Sequence, residues 1–158
     1  MKISDVGLAK IAAWEGFVSM SYIDAAGWPT IGYGHKLTHD ESTSGKILIG
    51  DRILKYHGGI TQDDAKALLR QDVHIAERAV SRLVTLALTQ AQFDALVSFV
   101  FNVGAGAFQA STLLKYLNGR RSYADIAAQI KRWVYANGLK LKGLERRRAE
   151  EAEAFKTV

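Results

Sequence analysis

Three oxygen-bearing side chains near the N-terminus have the types and spacing for acid–base chemistry: Glu15, Asp24 and Thr30. Cleaving a glycosidic bond needs one carboxyl that gives its proton to the leaving oxygen. It also needs a second polar group on the opposite sugar face to stabilise charge or activate water. Glu15 stands at the end of a predicted helix between Trp14 and Phe17, where partial desolvation favours the protonated form a general acid requires. Asp24 precedes Ala25, Ala26 and Gly27, a turn more open to water, where ionisation costs less. A glutamate ending a helix and an aspartate opening a turn are also ordinary surface choices, so spacing alone leaves both readings open.

The elements that must position these groups show in the periodicity. Val6, Ile11 and Trp14 recur at roughly helical spacing after a Ser4 cap, predicting a helix over about 3–15 that stops at Gly16. From about 17 to 57 the apolar runs are short and broken by glycine, as in SYIDAAGWPTIGYGH and KILIGDRILKY, which reads as a small antiparallel sheet of hairpins. Helices dominate from Thr61. TQDDAKALLRQDVHIAERAVSRLV carries a Thr61/Asp64 capping signal and a stripe of Ala65, Leu68, Leu69, Val73 and Ala76. Further helices are expected near 90–103, 111–118, 123–136 and 143–155, separated by turns at Gly104, Gly106, Gly119 and Gly138. The fold class is therefore α+β and mostly helical. A single domain over 1–158 is expected, with a β lobe at about 17–57 and a helical lobe at about 61–156 plus the N-terminal helix. A cleft is expected between them.

Composition narrows the partners. A chain of 158 residues with 48% hydrophobic residues can bury a core unaided, and the absence of cysteine removes disulfides and thiolate metal sites. The +5 formal charge, from 21 Lys and Arg against 16 Asp and Glu, favours an anionic partner without choosing among nucleic acid, lipid and wall polymer. The first fifteen residues mix Lys2, Asp5 and Lys10 with apolar ones, so no signal peptide or anchor is read there.

The segment EGFVSMSYIDAAGWPTIGYGH resembles the signature of the phage-type lysozyme family, glycoside hydrolase family 24, with its E-x8-D-x5-T pattern followed by IGxGH. SFVFNVGAGAFQASTLL and the run beginning KRWVYANG are similar to that family's later signatures, so the resemblance spans about the whole chain. It implies a lysozyme-like fold and hydrolysis of the β-1,4 bond between N-acetylmuramic acid and N-acetylglucosamine in bacterial peptidoglycan, lysing the host cell. Glu15 would be the acid, Asp24 and Thr30 would hold the attacking water, and inversion at the anomeric carbon is expected. The resemblance also implies that His35 pairs with an aspartate of the following helix. This nominates Asp72 and predicts a structural pair joining the two lobes. No cofactor and no metal are expected: His35 and His39 are four apart, but HKLTH lacks a zincin's glutamate and a third ligand. A monomer is expected, held in the host cytoplasm until a holin releases it to the wall, without stable membrane insertion.

Phe101, Asn102 and Ser111 lie in or beside FNVGAGAF, where glycines let a sugar approach the backbone, and are read as one wall of the substrate groove. Phe101 equally continues the apolar stripe of Phe93, Leu96 and Val97, and Trp133 is read as core. Two other functions compete. In one, Lys131, Arg132, Lys140, Lys142 and Arg146–Arg148 form a nucleic-acid-binding surface. The acidic EEAE that follows argues instead for intrahelical pairing on a solvated face, with no nucleic acid as partner. In the other, a lytic transglycosylase uses one glutamate alone, and the presence of Asp24 and Thr30 speaks against it. A membrane-disturbing C-terminal helix is disfavoured by its polar content.

Overall fold

The computed structural model describes residues 1–156, which form two compact units. One comprises Leu8–His74; the other comprises Met1–Gly7 with the chain from Ile75 onward. Helix α1 (Asp5–Glu15) opens at Ser4, whose Oγ accepts the Gly7 N–H at 3.0 Å, and closes at Gly16, whose φ of 72° is the left-handed value of a C-terminal cap. From Leu8 onward α1 belongs with the sheets, not with the helical lobe expected to include it.

In the Leu8–His74 unit, β1 (Val18–Ile23), β2 (Pro29–Gly32) and β3 (His35–Lys36) make an antiparallel sheet in that order. Next come a short helix α2 (His39–Ser44), then a separate hairpin of β4 (Lys46–Ile49) and β5 (Arg52–Lys55). Hairpins alone were expected here. Helix α2 forms because Thr38 and Glu41 satisfy each other's backbone N–H groups in a capping box. Helix α3 (Gln62–Asp72), capped by Thr61, packs on β2, β3 and β4. Ile11, Ile31, Ile47, Leu68 and Leu69 are fully buried in this unit's core.

The other unit contains α4 (His74–Leu83, from Ile75), α5 (Gln90–Val103), α6 (Ala105–Gln109), α7 (Thr112–Asn118) and α8 (Tyr123–Lys131). A small hairpin of β6 (Tyr135–Ala136) and β7 (Leu139–Lys140) precedes α9 (Lys142–Glu153). Two expectations need correction. The helix expected from Thr61 through Val84 breaks at Val73, because Ala65, Leu68 and Leu69 serve one core while Ala76, Ala79 and Val80 serve another. The helix expected to reach Ala136 stops at Lys131, because Asn137 and Gly138 adopt φ of 51° and 77° and close a tight hairpin between β6 and β7. Gly106, read as a turn, lies inside α6.

Candidate active site

Glu15 is the last residue of α1 and is half-buried. Its carboxylate lies against the turn between β2 and β3: a Cβ built on Gly34 would fall 2.9 Å from Glu15 Oε2, and Gly34 has a φ of 74°. The left-handed backbone at position 34 favours glycine, and a side chain there would also push the Glu15 carboxylate from its place. The IGYGH run thus reaches Glu15 directly, a contact that the sequence pattern alone did not reveal.

Asp24 follows β1 and is fixed by the turn it opens. Its Oδ1 accepts the N–H groups of Ala26 at 2.9 Å and Trp28 at 2.8 Å, while its own N–H donates to the Trp28 carbonyl at 2.9 Å. Both side-chain hydrogen bonds fall on Oδ1. Thr30, in β2, is 2% exposed, and its Oγ1 donates to the same Trp28 carbonyl at 2.9 Å. The register pairs Tyr22 with Thr30 and Ile23 with Pro29. Carried one step further by the Asp24–Trp28 hydrogen bond, it puts Asp24, Trp28 and Thr30 on one face of the hairpin. One peptide unit's neighbourhood, that of Trp28, therefore orders both residues expected to hold water.

His35 meets Asp72 Oδ2 through Nδ1 at 2.8 Å and Glu41 Oε2 through Nε2 at 2.9 Å. The expected partner is in place, but the pair ties β3 to α3 within one unit instead of bridging two lobes, because Asp72 belongs with the sheets. Glu41 was not anticipated; it also accepts the Thr38 N–H at 2.9 Å. Both ring nitrogens are thus engaged by carboxylates, which removes His35 from pairing with His39 around a metal. Burial opposes the charged ring, but the hydrogen bonds and charges of Asp72 and Glu41 outweigh it and hold the His35 pKa above its ordinary 6.5. Only the imidazolium donates to both carboxylates at once. A raised folded-state value means that this stabilisation is complete below about pH 6.5 and is lost as pH rises through the folded pKa. The gap in melting temperature between the parent and His35→Gln should accordingly be widest in mildly acidic buffer and shrink toward alkaline pH. A gap that widens with pH would contradict the assignment.

In the other unit Phe101 is half-buried at the end of α5. Asn102 is exposed, its Oδ1 accepting from Arg148 Nη2 at 2.9 Å, which leaves its Nδ2 as a donor. Ser111 requires correction as a groove residue. It is 6% exposed, its Oγ donates to the Phe108 carbonyl at 2.6 Å and accepts the Leu114 N–H at 3.0 Å, so its hydroxyl is used in capping α7. Trp133 packs edge-on against Phe99 at 5.4 Å. Two members of the basic run are not on a solvated face, although Arg146 is exposed. Arg147 and Arg148 are 4% and 1% exposed, paired with the buried Glu151, and Arg148 lies over the Phe99 ring at 4.9 Å. Those two guanidiniums are not available to grip phosphates.

The family profile described as Phage lysozyme matches residues 12–151. The chain is 38% identical over 157 residues to an endolysin of Bacillus phage PZA, covering 98% of this chain and 55% of that protein. It is equally 38% identical over 162 residues to an endolysin of Acyrthosiphon pisum secondary endosymbiont phage 1, covering 100% of each. It thus spans about half the length of the first relative and the full length of the second. Among solved structures it is similar to the muramidase domain of SpmX from Asticaccaulis excentricus. The TM-score is 0.81 at 36% identity, covering 99% of both chains.

Proposed function

The chain belongs to the phage lysozyme family, and with it to the glycoside hydrolases; from that premise we propose that it is an endolysin that lyses host cells by hydrolysing peptidoglycan. The bond cut is the β-1,4 link between N-acetylmuramic acid and N-acetylglucosamine. Glu15 gives its proton to the leaving glycosidic oxygen while water adds to the anomeric carbon and passes a proton to Asp24. The observation carrying this reading is that Asp24 and Thr30 are ordered through one residue, Trp28. Because the Thr30 hydroxyl proton is committed to the Trp28 carbonyl, toward a water it acts as acceptor. A water donating one hydrogen to Asp24 and the other to Thr30 keeps a lone pair free to attack, the geometry an inverting hydrolase needs.

Phe101 and Asn102 are proposed as saccharide contacts, and the working form as a monomer. The proposed route is accumulation in the host cytoplasm and release through a holin. No helix among the described residues is long and apolar enough to cross a membrane. Digestion of purified peptidoglycan tests the reaction: new reducing ends, fragments heavier by one water and initial products of inverted anomeric configuration are expected. Anhydro-sugar ends would make the chain a lytic transglycosylase, and net retention would remove the water-holding role from Asp24 and Thr30.

A further inference from the structure

Trp28 serves the hairpin with its main chain, yet its side chain has no structural task there. The indole is 56% exposed, and among the described residues it makes no hydrogen bond or ring contact. The other tryptophans, Trp14 and Trp133, are half-buried. Trp28 also precedes Pro29, the chain's only proline. Proline restricts the residue before it to extended backbone, so the ring is carried on a stiff segment. Three main-chain hydrogen bonds reinforce this: Trp28 N–H to Asp24 Oδ1, and its carbonyl accepting from Asp24 N–H and Thr30 Oγ1. An exposed apolar ring that is costly to hydrate is thus held beside a carboxylate and a threonine on one hairpin face.

We propose that Trp28 is a saccharide-stacking residue of this site, its indole covering the C–H face of an N-acetylhexosamine ring next to the bond at which Asp24 and Thr30 hold water. The proposal rests on reading this hairpin as glycosidase machinery. A flat, pre-oriented ring binds a pyranose with little conformational entropy to lose, since its main chain is already fixed and only two side-chain torsions remain. The contact would be formed with the ground-state sugar as well as with the transition state, so it would act mainly on KM.

Tryptophan fluorescence and calorimetry of the full chain with chitotetraose, alongside turnover of purified peptidoglycan, test this. The parent should show a saturable change in emission. Trp28→Phe should lose that change while keeping Kd within about threefold, because a phenyl ring still stacks. Trp28→Ala should raise Kd and KM by roughly tenfold or more, with kcat within about threefold. Unchanged Kd in Trp28→Ala, or a fall in kcat at constant KM, would each overturn stacking, the latter leaving Trp28 only as a prop for the turn. If the parent cleaves peptidoglycan and Trp28→Ala behaves like it, this inference fails alone. If the parent neither binds nor cleaves glycan, the glycosidase reading fails with it.

Discussion

Glu15→Gln should lower reducing-sugar release from peptidoglycan by roughly 10²–10⁴-fold, the usual contribution of a positioned proton donor, while the melting temperature stays near that of the parent. Glutamine keeps the length and planar head of the side chain, so it fits the space left by the missing side chain at Gly34. What it cannot do is give a proton to the leaving oxygen. Rate and melting curve must be measured on the same preparation, because a loss of both would report misfolding. A rate within tenfold of the parent, with the fold intact, would take the acid role away from Glu15.

The largest expected effect on stability lies in the other unit, at Glu151. Its Oε1 accepts from Ser98 Oγ at 2.8 Å and Arg148 Nη2 at 3.1 Å, and the carboxylate also pairs with Arg147 at 3.3 Å. Burial pushes the Arg148 pKa down to about 10 against the opposing charge of Glu151, and burial likewise pushes Glu151 up despite both arginines. Both directions mean that desolvation outweighs pairing, so the cluster is a way of tolerating buried charge more than a source of stability. Glu151→Ala takes away the buried carboxylate that Arg148 pairs with at 2.8 Å, at a cost of about 3–5 kcal/mol. For a chain of this size that corresponds to a fall of roughly 6–20 °C in melting temperature. The double replacement Arg148→Met with Glu151→Leu should lose less than Glu151→Ala alone, since it removes charges of both signs together. A single variant that melts within two or three degrees of the parent, about 1 kcal/mol, would show that water reaches the cluster.

What the sequence alone determined was whatever is written locally. The helix starts at Ser4 and Thr61 are legible because a capping hydroxyl and the backbone N–H that donates to it lie within three residues of one another. The nomination of Glu15, Asp24 and Thr30 came from a pattern confined to sixteen positions, and the Asp24 turn follows from its own side chain bonding two and four residues on. The β6–β7 hairpin was also written locally, in Asn137–Gly138, but an apolar run before it, RWVY, mimicked continuation of a helix.

Tertiary structure decided what depends on which distant groups share a dielectric. Whether Arg147 and Arg148 face solvent or a carboxylate in the core cannot be told from their spacing to Glu151, because the same i, i+3 and i, i+4 pairing serves a wet face and a dry one. Glu41 meets His35 only through the turn that leads from β3 into α2, and Gly34 matters to Glu15 only because α1 ends against a turn nineteen residues later in the chain. The same holds for Ser111. A hydroxyl beside glycines reads as open to ligand until the packed helix shows both its hydrogen bonds already used.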